Sequence, residues 1–572
     1  MKEAPLQLRD HAWALGLSLA WALGLSAALH GFIVHDYIPL GDQWALVANS
    51  HPDLAQPLLW FTRGFADYFE SYPGLSPPYA NFVRPGFNLG YWLIGHAAAP
   101  VSGAYLYLNY AAIGACAGLC YLVIRQGGGS MPTALPLAAA VPLMPAMVPV
   151  LSTLLSPPQA YDPLVAALSL LVLLSWPLRR VWLSAALLLL AVMTKETTLP
   201  LAVAAPVLYL FEHRQDLRAR RVLEALLLVL PLLLWLALRL ADFGGVSNGT
   251  YVLSANPGGP LHNLVKLGLR WPFWIEVLPL RKDSEGLAAL PSWLLLGANL
   301  GLMLAAIGIV GLRWWRRRET PHLAEACLLL SYGFMCLVGV ASRYGAVLDV
   351  CIVACLGLWL AQAATPRLNV VAALALGAGV VVTDVQAWQA WPERYALVQN
   401  YSHIGQDYVA TLKTFPAGAR VIVLNDPVSW HSQGRWLRRA AGIEAEVVKL
   451  ADYACPGSAL RLEQPCTVAL HAAAGPGQFE FSQSCGIDVC GAFVTQEQPA
   501  HFEPAAGVAV DLLPLPSSEP GHSADPPQWR GLRLTLADKA AHLLYFDPAS
   551  RSVKPYAAAG DAASTNRAET LP

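Results

Sequence analysis

Charge is what this chain has least of. Only 13% of its 572 residues are Asp, Glu, Lys or Arg, against 55% hydrophobic, and the mean hydropathy is +0.44. Soluble domains carry about 25% charged residues, so the composition excludes an ordinary soluble protein of this size and indicates a polytopic membrane protein. The formal net charge of −1 comes with no basic surface suited to nucleic acid, and no nucleic-acid partner is expected. There is no C-x-x-C spacing, which speaks against a zinc knuckle. A nucleotide-sugar-binding domain and internal repeats are also missing. No cleaved leader is expected, because residues 11–34 form an apolar run of about the 20 residues that cross a bilayer, with no small-residue cleavage site before the next polar loop.

What the chain does have is a ladder of apolar runs near 11–34, 101–124, 132–152, 160–177, 181–194, 197–211, 222–241, 291–312, 321–341, 344–363 and 368–388. Basic residues fall in alternate short connections: Lys2 and Arg9, Arg125, Arg179 and Arg180, Arg214 to Arg221, Arg313 to Arg318, and Arg367. The positive-inside rule makes those connections cytoplasmic and puts the intervening loops and the C-terminal tail on the other side. The expected fold is therefore α-helical and polytopic, with about eleven transmembrane helices in residues 1–394. Within it, outer loops at 35–100 and 242–290 are large enough to matter.

Composition changes abruptly beyond 394. Segments 419–426, 444–450 and 466–472 read as strands and 401–414 and 430–441 as helices, giving a small extracytoplasmic α/β or β-rich domain over 395–555. Residues 556–572, rich in Ala, Ser and Thr, read as a disordered tail. Six of the ten cysteines lie in apolar runs, where cysteine is a small packing residue. The other four, Cys455, Cys466, Cys485 and Cys490, are an even set in an oxidising compartment, so two disulfides are expected. Of the three possible connectivities, Cys455–Cys466 with Cys485–Cys490 is the simplest local pairing.

The ionisable residues near the apolar runs carry the functional expectation. HDYIPLGDQW holds Asp36 and Asp42 just after the first run, and NFVRPG holds Arg84. The turn AVMTKETTLPL places Lys195 and Glu196 between two apolar runs at the outer face, and VGVASRYGAVLDV brings Arg343 and Tyr344 to the same side by the same counting. Ionisable groups at membrane depth mark substrate or ion pathways, since an unpaired one is expensive there. Plainer roles are a helix–helix corner for Lys195 and Glu196, snorkelling for Arg343, and helix capping or pairing with Arg63 or Arg84 for the two aspartates. Three cations gathered on one face suit a phosphate, with Arg offering a bidentate fork. A carboxylate beside them can take a proton from an acceptor hydroxyl. His35 reads as an interfacial polar residue, and the sequence requires no metal.

In order and sidedness these motifs resemble the GT-C superfamily of polyprenol-phosphate-dependent membrane glycosyltransferases, in particular its protein O-mannosyltransferase-like branch. GDQWALVANSHPDL is similar to that branch's acidic-pair segment, with the second aspartate on Asp42 and Gly41 in place of the first. Asp36 is the candidate for the missing carboxylate. NFVRPGFNLGYWLIG is similar to the family's Arg-Pro or His-Pro stretch, TKETTLPL to its S/T-K-E turn, and SRYGAVLDVCIVACLGLWL to its R-Y segment. The likeness covers residues 10–390. It implies a sugar donor linked to polyprenyl phosphate and no separate cofactor. It also implies an inner-membrane location with the active site and tail on the periplasmic side, Asp42 or Asp36 as base, and a phosphate site of Arg84, Lys195 and Arg343 supported by Glu196 and Tyr344. The sugar, hexosyl or pentosyl, and the acceptor stay open. A flippase for a lipid-linked saccharide and a non-catalytic envelope assembly protein are the alternatives.

Overall fold

In the computed structural model each of the eleven apolar runs contains a helix. Described are residues 5–31, 104–147, 161–243, 292–312, 322–338, 345–389, 403–425, 442–450, 468–483, 501–514 and 529–556, isolated positions excepted, together with Asn263. The helices are α1 (Leu8–Gly31), α2 (Ala104–Gln126), α3 (Met131–Ala140), α4 (Tyr161–Ser175), α5 (Val181–Thr194), α6 (Leu199–Glu212), α7 (Ala219–Phe243), α8 (Ser292–Leu312), α9 (Leu323–Val338), α10 (Ala346–Gln362) and α11 (Pro366–Gln389). Three of them, over Leu8–Gly31, Leu106–Gln126 and Ala219–Leu240, are long and apolar enough to cross a membrane. Seven other helices contribute apolar stretches of 10–17 residues, among them Gly297–Leu312 of α8 and Asn369–Val381 of α11. At 1.5 Å per residue the 14 residues of α5 rise only about 21 Å, short of a hydrocarbon layer of about 30 Å. Among the described residues the expected count of about eleven spans is not confirmed.

Prolines account for one shortening. Within the run expected over 132–152, α3 ends at Ala140 and passes into a 3-10 turn at Val141–Leu143 around Pro142; residues 148–152 lie outside the described ones. Side-chain packing accounts for the antiparallel pairing of α1 and α2. Cβ atoms added at Gly114 and Gly118 would collide with the Ser18 and Ala14 carbonyls, so these glycines, one helical turn apart, let the two backbones touch.

The polar contacts give the bundle two distinct ends. At one, Arg125 Nε donates to Asp10 Oδ1 at 2.9 Å, Ser175 and Ser184 join hydroxyls at 2.7 Å, and Trp359 Nε1 donates to Glu325 Oε1 at 2.7 Å. At the other, His30 meets Tyr107 at 2.7 Å, Lys195 meets Asp162, and the Ala146 N–H donates to Asp349 Oδ2 at 2.8 Å. Helices α1, α5 and α9 run from the first end to the second, and α2, α4 and α10 run back. Between the ends lies an apolar core that includes Tyr121, Val165, Leu170, Leu188, Leu201 and Val350.

Among the described residues nine strands follow these helices: β1 (Arg420–Val423), β2 (Glu446–Lys449), β3 (Val468–Ala472), β4 (Gln478–Gln483), β5 (His501–Ala505), β6 (Val508–Pro514), β7 (Trp529–Leu536), β8 (His542–Asp547) and β9 (Ser552–Pro555). The first sheet has the order β2-β1-β8-β9, with β1 parallel to both neighbours and β9 antiparallel to β8. Past the end of β1, buried Asn425 continues its ladder by donating to Phe546 O and accepting from Phe546 N, at 3.0 and 2.7 Å. The second sheet is antiparallel in the order β3-β4-β7-β6-β5. Its alternation is regular: Phe481, Val510, Leu532 and Leu534 face a core shared with Ile422 and Leu543 of the first sheet. Glu480, Asp511 and Arg533 occupy the opposite face. The strands expected at 419–426, 444–450 and 466–472 are β1, β2 and β3. A helix covers 403–412, and the one expected at 430–441 lies outside the described residues.

Candidate functional site

The TKET turn is the one sequence-predicted site that falls within the described residues. Thr194 ends α5, Lys195 takes an extended backbone, and Glu196–Thr198 form a 3-10 turn that leads into α6 with Pro200 in its first turn. The break is held locally: Thr198 donates both its backbone N–H, at 3.3 Å, and its hydroxyl, at 2.9 Å, to the Lys195 carbonyl, while the Thr194 hydroxyl donates to Leu190 O. The result is a corner that aims the Lys195 side chain inward. Met193, Thr194, Thr197, Thr198 and Leu201 are buried around it, and Glu196 is half-buried.

Lys195 is 0% exposed and its ammonium contacts the Asp162 carboxylate, itself on a residue only 2% exposed. Asp162 lies in the first turn of α4, immediately before Pro163. An ammonium or a carboxylate removed from water this completely carries a penalty of several kcal/mol unless matched, so the two charges hold each other in place. The pair also fastens the end of α5 to the start of α4, across the chain reversal at Arg180.

Asp349 is the third fully buried ionisable group at this end. It lies in the first turn of α10, accepts the Ala146 N–H, and is within electrostatic reach of Cys116 and Tyr332. Cys116 in turn donates to Pro163 O at 3.2 Å, next to Asp162. The middle of α2 at Cys116, the starts of α4 and α10, the 3-10 corner after α5, and the chain after Val141–Leu143 thus converge on one buried polar region. Sequence reading did not single out Asp162 or Asp349. Each is an acid in the first turn of an otherwise apolar helix, and by the alternation of basic loops each falls at the same end as Lys195; that combination is the signal available for finding them.

Asp36, Asp42, Arg84, Arg343, Tyr344 and the four tail cysteines, Cys455, Cys466, Cys485 and Cys490, lie outside the described residues. The chain segments that lead to them are described. Gly31 ends α1 and Ala104 begins α2, bracketing Asp36, Asp42 and Arg84, and Ala346 begins α10 two residues after Tyr344. All three helix ends lie at the Lys195 end of the bundle. Among the described residues, no group of three or more His, Cys, Asp or Glu side chains is arranged to hold a metal ion. No protein-family model matches the chain, and no curated protein matches it.

Proposed function

We propose that the chain is an integral membrane glycosyltransferase of GT-C architecture, moving a hexosyl or pentosyl group from a polyprenyl-phosphate donor to an extracytoplasmic acceptor. The observation that carries the reading is the convergence of buried Lys195, Asp162 and Asp349 at the bundle end where the chain leaves for Asp36, Asp42 and Arg84 and returns from Arg343 and Tyr344. A solvated, structural lysine needs no such enclosure. The exposed leucines of α1 and α7, among them Leu15, Leu19, Leu23, Leu223, Leu226 and Leu233, support a lipid setting, because such stripes are unfavourable in water. The positive-inside pattern supports an inner membrane with this bundle end on the periplasmic side.

In this reading the acceptor hydroxyl oxygen bonds to the anomeric carbon as the carbon–oxygen bond to phosphate breaks. The hydroxyl proton passes to Asp42, and the electron pair leaves with polyprenyl phosphate, whose charge Arg84, Lys195 and Arg343 offset. Displacement in one step inverts the anomeric centre. An ammonium donates three hydrogen bonds, so the Asp162 contact is compatible with Lys195 also meeting a phosphate oxygen. Asp162 and Asp349 would shape and anchor the pocket.

The test is sugar transfer from synthetic polyprenyl-phosphate donors by the purified protein. Asp42→Asn should lower turnover by about 10²–10⁴-fold with donor binding kept, and Asp36→Asn should lower it less. Full activity in Asp42→Asn would move the base to Asp36. Absence of transfer to any acceptor class, with donor carried across the bilayer instead, would replace the reading with a flippase.

A further inference from the structure

The opposite end of the bundle carries a surface that this chemistry leaves unused. We propose that the turn between α6 and α7 binds the headgroup of an anionic phospholipid, whose acyl chains lie along the exposed face of α7. The inference rests on α7 crossing the membrane and is independent of the glycosyltransferase reading.

The turn is built in two layers. In the inner layer, Arg221 donates to the Tyr209 hydroxyl at 3.0 Å and to Glu224 at 2.9 Å, while the Tyr209 hydroxyl donates to Glu224 and the Tyr209 ring stacks on His213. This network fixes the α6–α7 hairpin. In the outer layer, the Arg218 and Arg220 side chains are 82% and 84% exposed. The Arg218 carbonyl accepts the Val222 N–H at 3.1 Å, so Arg218 opens the first turn of α7.

Helical spacing then places Arg218 one turn ahead of Val222 and Arg220 one turn ahead of Leu223, so the two arginines flank the head of the apolar stripe on its two sides. Val222, Leu223, Leu226, Leu230 and Leu233 continue as an exposed apolar stripe below the two arginines. Two guanidinium groups above a stripe of leucines match a phosphodiester above acyl chains, and the positive end of the α7 dipole adds to the attraction. Arg214, lying over the Phe211 ring at 4.1 Å, extends the basic rim. Asp216 contacts Arg218 at 2.7 Å and Glu224 contacts Arg220 at 3.0 Å. The Arg218–Asp216 pair, exposed on both sides, contributes little and yields to a phosphate that brings its own apolar anchor, while Glu224, 19% exposed, stays held by Arg221 and Tyr209 when Arg220 turns to the headgroup.

The experiment is native mass spectrometry of the full-length protein in neutral detergent, titrated in parallel with phosphatidylglycerol and phosphatidylcholine of equal chain length. Wild type should bind phosphatidylglycerol preferentially. The double variant Arg218→Gln, Arg220→Gln should bind it roughly 30-fold more weakly, at about a fivefold loss for each surface arginine facing an anionic headgroup. Phosphatidylcholine binding should not change. Equal affinity of wild type for the two lipids, or unchanged phosphatidylglycerol affinity in the variant, overturns the proposal. Displacement of the lipid by millimolar inorganic phosphate would also overturn it, since the apolar stripe would then add nothing. Should the double variant not fold, the unaltered protein decides the matter: phosphatidylglycerol retention should fall as salt is raised, and salt-insensitive retention refutes the site.

Discussion

Breaking the pair between Asp162 and Lys195 should do more harm than removing it altogether. Asp162→Leu leaves the Lys195 ammonium inside a region where its side chain is only 1% exposed. With no carboxylate opposite it, the charge should destabilise the bundle by about 3–5 kcal/mol, and Lys195→Met should do the same by stranding the carboxylate. The double variant carries apolar side chains of similar volume and no buried charge. For replacements of that kind the change ranges from neutral to stabilising by about 1–4 kcal/mol. The three variants and wild type form a cycle whose coupling term is therefore large and of known sign. The assay is the denaturation midpoint in mixed detergent micelles, with unfolding followed by tryptophan fluorescence. Single-variant losses that simply add in the double variant would show that the two charges do not depend on each other, and the description of the corner would fail. Sugar transfer gives a second axis. A double variant that is stable yet inactive would separate the role of Lys195 toward a phosphate from its role in holding α4 against α5.

Two further outcomes follow from the packing and from the strand region. Gly118→Ala puts a methyl group against the Ala14 carbonyl and the Ser18 side chain, so α1 must move off α2 at a penalty of about 1–3 kcal/mol, read in the same denaturation assay; an unchanged midpoint would mean that the two helices are not in contact there. Between β4 and β7 the Arg533 guanidinium holds Glu480 below its ordinary value of 4.5, and Lys554 of β9 holds Asp547 of β8 below 3.8. Because both carboxylates titrate lower when folded, their stabilisation is fully present above the unfolded-state values and is lost as pH falls through the folded ones. Circular dichroism between pH 6 and 2 should show strand content falling at higher pH in Glu480→Gln, Asp547→Asn than in wild type, and coincident curves would refute the linkage.

The helices were legible because an apolar run bounded by Arg or Pro leaves few alternatives: the run 181–194 and α5 coincide residue for residue, and 160–177 contains α4. Strands β1 to β3 were legible from β-branched and aliphatic clusters bracketed by polar residues. Partnership was not. Arg125 marks a basic loop in the sequence, yet the structure spends it on Asp10, a residue separated from it by almost the whole outer loop and two helices. Lys195 stood out as a charge in an apolar setting, while its partner Asp162, 33 positions earlier, passed as an ordinary acid in the first turn of a helix. Pairings of this kind depend on which helices become neighbours, and hydropathy carries no information about that. Length also misled: within the apolar run 132–152 the α-helix ends at Ala140, and Pro142 follows in a 3-10 turn.

The strand order of the first sheet has a consequence for how the protein is made. Strand β1 has β2 on one side and β8 on the other, and the entire second sheet, β3 to β7, is encoded between those two partners. A ribosome has delivered β1 and β2 long before β8 exists, so the emerging chain holds a two-stranded parallel fragment with one edge open. Open edges of that kind recruit other strands, and pairing across so long a separation is slow. Closure waits for His542–Asp547. A premature stop before His542 would leave the β8 edge of β1 open at the centre of the sheet, so such a product should be cleared or should aggregate even though its helices are complete.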